Sequence, residues 1–118
     1  MQHWKLHEID TPDGSRSPVV LHSVDGESRV VLIELEPGQE LGDHQVTEAA
    51  LLLVVSGEAR IEAGGEAIRA DAGDLFRFDP NERHAISTEG GVRLLLTLAP
   101  WPGDGHYRGS TPAGATAS

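Results

Sequence analysis

The sequence predicts an all-β fold, either a two-sheet jelly roll or a closed antiparallel barrel, over about residues 19 to 98. Short runs rich in Val, Ile and Leu recur along this stretch, and none has the 3.6-residue spacing of an amphipathic helix. Turn-forming segments such as DGES, EPGQ and EGG separate the runs at nearly even intervals. Many short strands with regular turns are typical of sandwiches and barrels.

Each predicted strand is an apolar run that ends at Gly, Pro, Asn or Asp. The runs cover residues 19–24, 29–36, a segment through His44, 51–55, 59–63, 66–70, 75–78, 84–88 and 92–98. Alternation places Val31, Ile33 and Leu35 on one face, and Ile61 and Ala63 continue the pattern further along the chain. The SGE segment at 56–58 is interpreted as a turn between two strands.

The run at 51–55 reads LLLVV, so this strand has no polar side chain on either face. A strand of this kind is buried on both sides, and its outer face is expected to meet another layer or a second subunit. The spare segment at residues 4–9 could also add an edge strand to a partner, which would cover an edge prone to aggregation. We therefore expect a homodimer.

The length and composition limit the organisation of the chain. With 118 residues there is room for one domain. We expect an N-terminal segment over 1–18, a barrel over 19–100, and a tail over 101–118 that is rich in Pro and Gly and partly mobile. The polar amino terminus and the lack of a long apolar run predict a cytoplasmic protein.

The charge balance limits the partners and the chemistry. Nine Lys and Arg against nineteen Asp and Glu give a net charge of −10, which argues against nucleic acid and membrane partners. The absence of cysteine excludes disulfides, thiolate nucleophiles and Cys-based zinc sites. Any metal would be bound by the six His or by carboxylates.

Two segments combine Gly with a histidine at a fixed distance. In the first, five residues separate Gly38 from His44, and Gly57 closes the segment. In the second, Gly73 opens a strand and His84 follows eleven residues later. At these spacings the chain resembles the cupin superfamily over roughly residues 30 to 98. The resemblance implies a cupin-type barrel, with both histidines pointing into the interior and facing one another.

The chain departs from the motif at two of four metal-ligand positions. Cupins with the full motif bind a divalent transition metal through three His and one Glu. Here Val46 stands where the second His would be, and Ala50 where the Glu would be. Two imidazoles alone bind a metal weakly. The cofactor is therefore left open, with a divalent transition metal as one option on an incomplete motif.

The second motif also departs from the family in its turn. Asp79 stands at the Pro position with Pro80 one place later, Asn81 replaces the turn Gly, and Thr88 replaces the final Asn. Asn tolerates a positive φ better than other residues with a side chain, so the turn should survive this exchange.

A usable metal site would need a third protein ligand, for which Glu48 and His22 are the candidates. Glu48 lies four residues after His44 and could complete a face of two His and one carboxylate. The plainer interpretation makes Glu48 a solvated loop carboxylate and His22 a strand histidine that faces solvent or a subunit boundary. Likewise, His44 and His84 could be polar side chains hydrogen-bonded inside a metal-free cavity.

Three functions stay open, and the fold alone does not choose among them. The favoured one is a module that binds a small organic ligand inside the barrel. Its predicted cavity residues are His44, His84, Val46, Ala50, Phe76 and Phe78. The second is a metal-dependent oxygenase or isomerase that uses His44, His84 and either Glu48 or His22. The third is a metal-free enzyme with His84 or His44 as the proton carrier.

Overall fold

The structure is a computed structural model that describes residues 1–11 and 18–101, with the side chains of residues 43 and 44 outside the described part. Within this part the regular elements are all strands, which confirms the predicted fold class. They are β1 (Val19–Val24), β2 (Glu27–Leu35), β3 (Glu40–His44), β4 (Ala49–Ala63), β5 (Glu66–Asp71), β6 (Leu75–Phe78), β7 (His84–Ser87) and β8 (Val92–Trp101). The same residues contain no helix long and apolar enough to span a membrane.

The strands form two antiparallel sheets that share β4. The first sheet has the order β1-β2-β8-β4-β6, and the second has the order β3-β7-β4-β5. Up to Gly57, β4 pairs with β6 and β8, and from Glu58 onwards it pairs with β5 and β7. The sheets therefore curl around one core as an antiparallel jelly roll.

The prediction of two separate strands on either side of the SGE segment is wrong, because β4 continues through it without a reversal. Gly57 has a φ of +85°, and its pairing with β8 follows a register shift. A Cβ at this position would lie 2.2 Å from the carbonyl oxygen of Gly91. The glycine thus lets the strand bend from one sheet into the other instead of closing a hairpin.

Alternate residues along the strands pack between the two sheets. The predicted inner face of β2, formed by Val31, Ile33 and Leu35, is buried, and so is Ile61 on β4. The largest fully buried side chains are Trp101, Leu32, Leu35, Leu52, Leu94, Leu98, Val31 and Val54. Burial of these aliphatic and aromatic groups is the main favourable contribution to folding.

The N-terminal segment lies on the outside of the first sheet. Arg93 on β8 donates a hydrogen bond from Nη1 to the carbonyl oxygen of Leu6 at 2.7 Å. The same guanidinium donates from Nε to Glu34 on β2 at 2.8 Å. Residues 1–11 form no strand within this copy of the chain. Their addition to the sheet of a partner stays a prediction.

Gly57→Ala should destabilise the fold much more than Gly38→Ala. The two glycines have φ values of +85° and +83°, so both substitutions carry a conformational cost of about 1–2 kcal/mol. Only at Gly57 does the new Cβ also overlap a backbone carbonyl, since nothing lies within 4 Å of a Cβ at Gly38. The free energy of unfolding should therefore fall by ~2 kcal/mol more in Gly57→Ala. Urea denaturation measures both losses, and equal losses would contradict the close contact.

Candidate functional site

The turn before β7 fixes the position of His84. Asn81 has a φ of +66°. Its N–H donates to the carbonyl oxygen of Val46 at 2.7 Å, and the Glu82 N–H donates to that of Asp79 at 3.0 Å. The turn of the second motif is therefore held against the first motif. The prediction that it tolerates Asn in place of Gly is confirmed.

The imidazole of His84 is buried, with 7% of the residue exposed. It stacks on Phe78 with ring centroids 4.2 Å apart and planes 1° from parallel. Its Nδ1 lies 3.2 Å from the carbonyl oxygen of Glu82, a group that can only accept a hydrogen bond. In the neutral ring Nδ1 then carries the proton, and Nε2 carries the lone pair. Nε2 is thus the ring nitrogen with acceptor capacity.

The backbone places His44 beside His84. The two residues are Cα partners in the antiparallel pairing of β3 with β7. The expected spacing of the two motifs therefore brings the two histidine positions together. That their side chains face one another stays a prediction, because the His44 side chain lies outside the described part of the chain.

Four of the predicted cavity residues meet in the barrel interior. Val46, Ala50 and Phe78 belong to the buried cluster, and the partly buried Phe76 packs against it. Ala50 and Phe78 are direct cross-strand partners between β4 and β6. The structure thus brings these side chains together, with Phe78 stacked on His84, and their role in binding a ligand stays a prediction.

An open cleft lies beside His84 at one end of the second sheet. Its volume is about 600 Å³, and its wall includes the β4–β5 hairpin and the start of β7. The charged side chains that line it are Arg60, Glu62, Glu66 and Arg83. The cleft therefore combines a buried imidazole with guanidinium and carboxylate groups at its rim.

The residues present do not fit a centre of three His and one Glu. Val46 and Ala50, at two of the four ligand positions, are apolar side chains buried in the core and offer no donor atom. Among the described side chains, which do not include that of His44, no group of three His, Asp or Glu is placed to hold a metal ion. Two imidazoles would leave the other coordination positions to water or to a further ligand.

The two candidates for a third ligand have different surroundings. His22 lies on β1, at the edge of the first sheet, and its Nε2 is 3.4 Å from Oε1 of Glu27. Glu48 is buried, so its interpretation as a solvated loop carboxylate is wrong. Its Oε2 accepts a hydrogen bond from the Thr47 hydroxyl, and it lines a separate cleft of about 410 Å³ with Trp101. A metal-binding role for either residue stays a prediction.

Glu58 on β4 is a hydrogen-bonded carboxylate that the sequence analysis did not single out, and it lines a cleft separate from that beside His84. Its carboxylate accepts hydrogen bonds from the N–H groups of Gly90 at 2.7 Å and Glu89 at 3.1 Å. The hydroxyl of Thr88 donates to the main-chain carbonyl of Glu58 at 2.6 Å. The bond from Gly90, supported by that from Glu89, lowers the pKa of the Glu58 carboxyl from its ordinary 4.5. In the sequence, only its position directly after Gly57 could have drawn attention to Glu58.

Comparisons with known proteins match this architecture. The family profile described as Cupin domain matches residues 31–98. An uncharacterized conserved protein with a double-stranded β-helix domain from Klebsiella pneumoniae shares 24% identity, with 85% of this chain and 90% of that chain covered and a TM-score of 0.74. A cupin superfamily protein from Desulfitobacterium hafniense shares 20% identity, with coverages of 76% and 82% and a TM-score of 0.69. No curated protein matches this chain. At these identities the solved structures show the fold alone.

Glu58→Gln should lower the free energy of unfolding at neutral pH. It should also make that free energy change less as the pH falls into the acidic range. Since the pKa of Glu58 in the folded state lies below 4.5, the ionised carboxylate stabilises the fold above that pH. This contribution is lost as the pH falls through the lower, folded-state pKa. Denaturation midpoints of the wild type and the variant should therefore differ at pH 7 and converge in acid.

The control is Glu66→Gln, which removes an exposed carboxylate from the same sheet. It should leave the midpoint at pH 7 nearly unchanged. If the difference in denaturation midpoint between the wild type and Glu58→Gln stayed constant down to low pH, the charge of Glu58 would not contribute to stability.

Proposed function

We propose that the chain, which belongs to the cupin domain family, binds a small organic ligand in the interior of its barrel. The observation that carries the proposal is the buried imidazole of His84, which stacks on Phe78 and lines an open cleft of about 600 Å³. Small-molecule sites have volumes of roughly 300–1,000 Å³. Among the predicted cavity residues whose side chains the structure describes, His84 alone lines this cleft, so its imidazole marks where the cleft meets the buried interior.

The replaced motif positions favour an organic ligand over a metal. Val46 and Ala50 contribute apolar surface where ligating side chains would otherwise stand, and apolar surface favours the burial of a carbon skeleton. His84 adds a polar imidazole, which stacks on Phe78. Mostly apolar walls with few oriented polar groups are the usual composition of a small-molecule site. The proposed interior site has this composition, whereas the cleft outside it is lined by charged side chains.

A metal-dependent oxygenase or isomerase is the second candidate. The pairing of His44 with His84 in neighbouring strands is the observation that favours it. A bound metal would act as a Lewis acid on a substrate oxygen. This function needs a third protein ligand, with Glu48 and His22 as the residues to test.

Protein purified without an affinity tag should carry the organic ligand, which native mass spectrometry would detect. His84→Ala should raise the dissociation constant of the ligand ~10-fold and so lower the fraction of protein that retains it, because it removes a buried polar contact worth about 1.4 kcal/mol. His22→Ala is the matched control, since it removes an imidazole from the edge of the first sheet and should retain the ligand. A protein with no bound small molecule, or equal retention in His84→Ala, would contradict the proposal.

Calorimetric titration with Ni²⁺, Zn²⁺ and Fe²⁺ separates the two candidate functions. The wild type should bind these ions weakly, and restoring the motif with Val46→His and Ala50→Glu should raise the affinity at least ~100-fold. Because Ala50 is fully buried, Val46→His alone serves as a second variant, with folding checked by circular dichroism.

A tight one-to-one site in the wild type that His84→Ala abolishes would overturn the metal-free proposal. Loss of that binding in Glu48→Gln or His22→Ala would then identify the third ligand. The metal-dependent oxygenase or isomerase would then be the favoured function.

A further inference from the structure

A second cleft lies where four other segments of the chain meet. They are the turn between β1 and β2, the loop before β4, the turn after β6 and the end of β8. The cleft has a volume of about 410 Å³ and is lined by Gly26, Thr47, Glu48, Ala49, Pro80, Ala99, Pro100 and Trp101. None of these residues lines the cleft beside His84. It is called the Glu48 cleft below.

Pairings between distant parts of the chain hold the walls of the Glu48 cleft. The Gly26 N–H donates a hydrogen bond to the carbonyl oxygen of Trp101. Ala49 and Ala99 are direct cross-strand partners between β4 and β8. The turn that contains Pro80 is hydrogen-bonded to the first motif, as described above. Because the backbone fixes these walls, the cleft is already formed without a ligand, as small-molecule sites usually are.

The walls of the Glu48 cleft are mostly apolar and carry one charged group. Two alanines, two prolines and the indole of Trp101 contribute the apolar surface. Glu48 is the one charged side chain among the described residues that line the cleft, and this residue is only 5% exposed. A cleft of this size with apolar walls and few polar groups has the usual composition of a small-molecule site.

The Glu48 carboxylate determines which class of ligand this cleft can bind. An ionised carboxylate only accepts hydrogen bonds, and it has room for about four donors. The Thr47 hydroxyl donates to its Oε2 and orients the carboxylate without saturating it. An anionic ligand would be repelled, and a neutral hydrocarbon would cover a charged group without binding it, which costs free energy. A ligand with a positive charge and N–H donors avoids both penalties.

The charges around the Glu48 cleft are compatible with a cationic ligand. With a net charge of −10, the protein attracts cations from solution. The guanidinium of Arg29 packs against the Trp101 ring, 5.0 Å from the ring centre, and does not line the cleft. This positive charge therefore lies next to the indole and outside the wall that a ligand would contact.

We propose that the Glu48 cleft is a second binding site, which takes a small organic cation with a protonated amine and a hydrocarbon skeleton. The amine binds the Glu48 carboxylate, and the skeleton packs against Pro80, Pro100 and Trp101. The proposal is independent of the interior ligand proposed above, because that ligand was assigned to other residues. It also gives Glu48 a role different from that of a third metal ligand.

Titration of the full chain with benzylamine, followed through the indole N–H signals in NMR spectra, tests the proposal. The signal of Trp101 should shift until the site is saturated, whereas that of Trp4 should not, because only Trp101 lines the cleft. A Trp4→Phe variant assigns the two signals. Benzyl alcohol has nearly the same shape without the charge, and it should bind at least ~10-fold more weakly.

Glu48→Gln should raise the dissociation constant of benzylamine at least ~10-fold and leave that of benzyl alcohol nearly unchanged, because it removes the charge and keeps the shape. The matched control is Glu27→Gln, which removes an exposed carboxylate from the cross-strand partner of Trp101, outside the cleft. This control should bind benzylamine as the wild type does. Ala99→Leu fills the cleft from an exposed position and should weaken the binding of both probes.

A Trp101 signal that does not shift would overturn the proposal, and so would equal affinities of the wild type and Glu48→Gln for benzylamine. Equal binding of benzylamine and benzyl alcohol would also overturn it, because the cleft would then select for apolar surface alone. The dispersion of the NMR signals checks that each variant is folded. If Glu48→Gln does not fold, unchanged binding of benzylamine to Ala99→Leu would overturn the proposal instead.

Discussion

The contact between Gly57 and the carbonyl of Gly91 is the constraint on which the rest of the fold depends. It lets β4 bend without a reversal, so that one strand belongs to both sheets. The first half of β4 pairs with β6 and β8, and the second half pairs with β5 and β7. Because no side chain fits between the two backbones, only glycine permits this approach. The Glu58 carboxylate then holds the adjoining turn through the N–H groups of residues 89 and 90.

Some motif positions shape a turn of the backbone, and others supply side chains that bind a metal. Substitutions affect these two kinds of position differently. A left-handed turn can be built on Asn81 instead of glycine, since Asn tolerates a positive φ. The hydroxyl of Thr88 likewise forms turn hydrogen bonds at the position where the family has Asn. A ligating side chain has no such substitute, because Val46 and Ala50 carry no lone pair. The barrel can therefore keep its geometry and the position of His84 although two ligand positions of the family motif carry no donor side chain.

The sequence predicts those features that depend on neighbouring residues. Alternation in β2 identified the core positions Val31, Ile33 and Leu35, and turn residues located most strand ends. The SGE segment was interpreted as a reversal because its bend depends on Gly91, which is distant in sequence. Glu48 was interpreted as solvated for a similar reason, since residues that line its cleft, such as Trp101, are distant in sequence. Contacts between residues that are distant in sequence leave no pattern among neighbouring residues.

The two sheets present different outer surfaces. The outer side of the second sheet carries the ion pairs of Arg60 with Glu62 and of Arg69 with Asp71, all of them largely exposed to solvent. Charged side chains of this kind keep a surface hydrated and disfavour self-association. The cleft beside His84 is lined by residues of the second sheet and its loops, whereas the exposed leucines Leu51 and Leu75 lie on the first sheet. A dimer formed through the first sheet would therefore leave the cleft open in both copies.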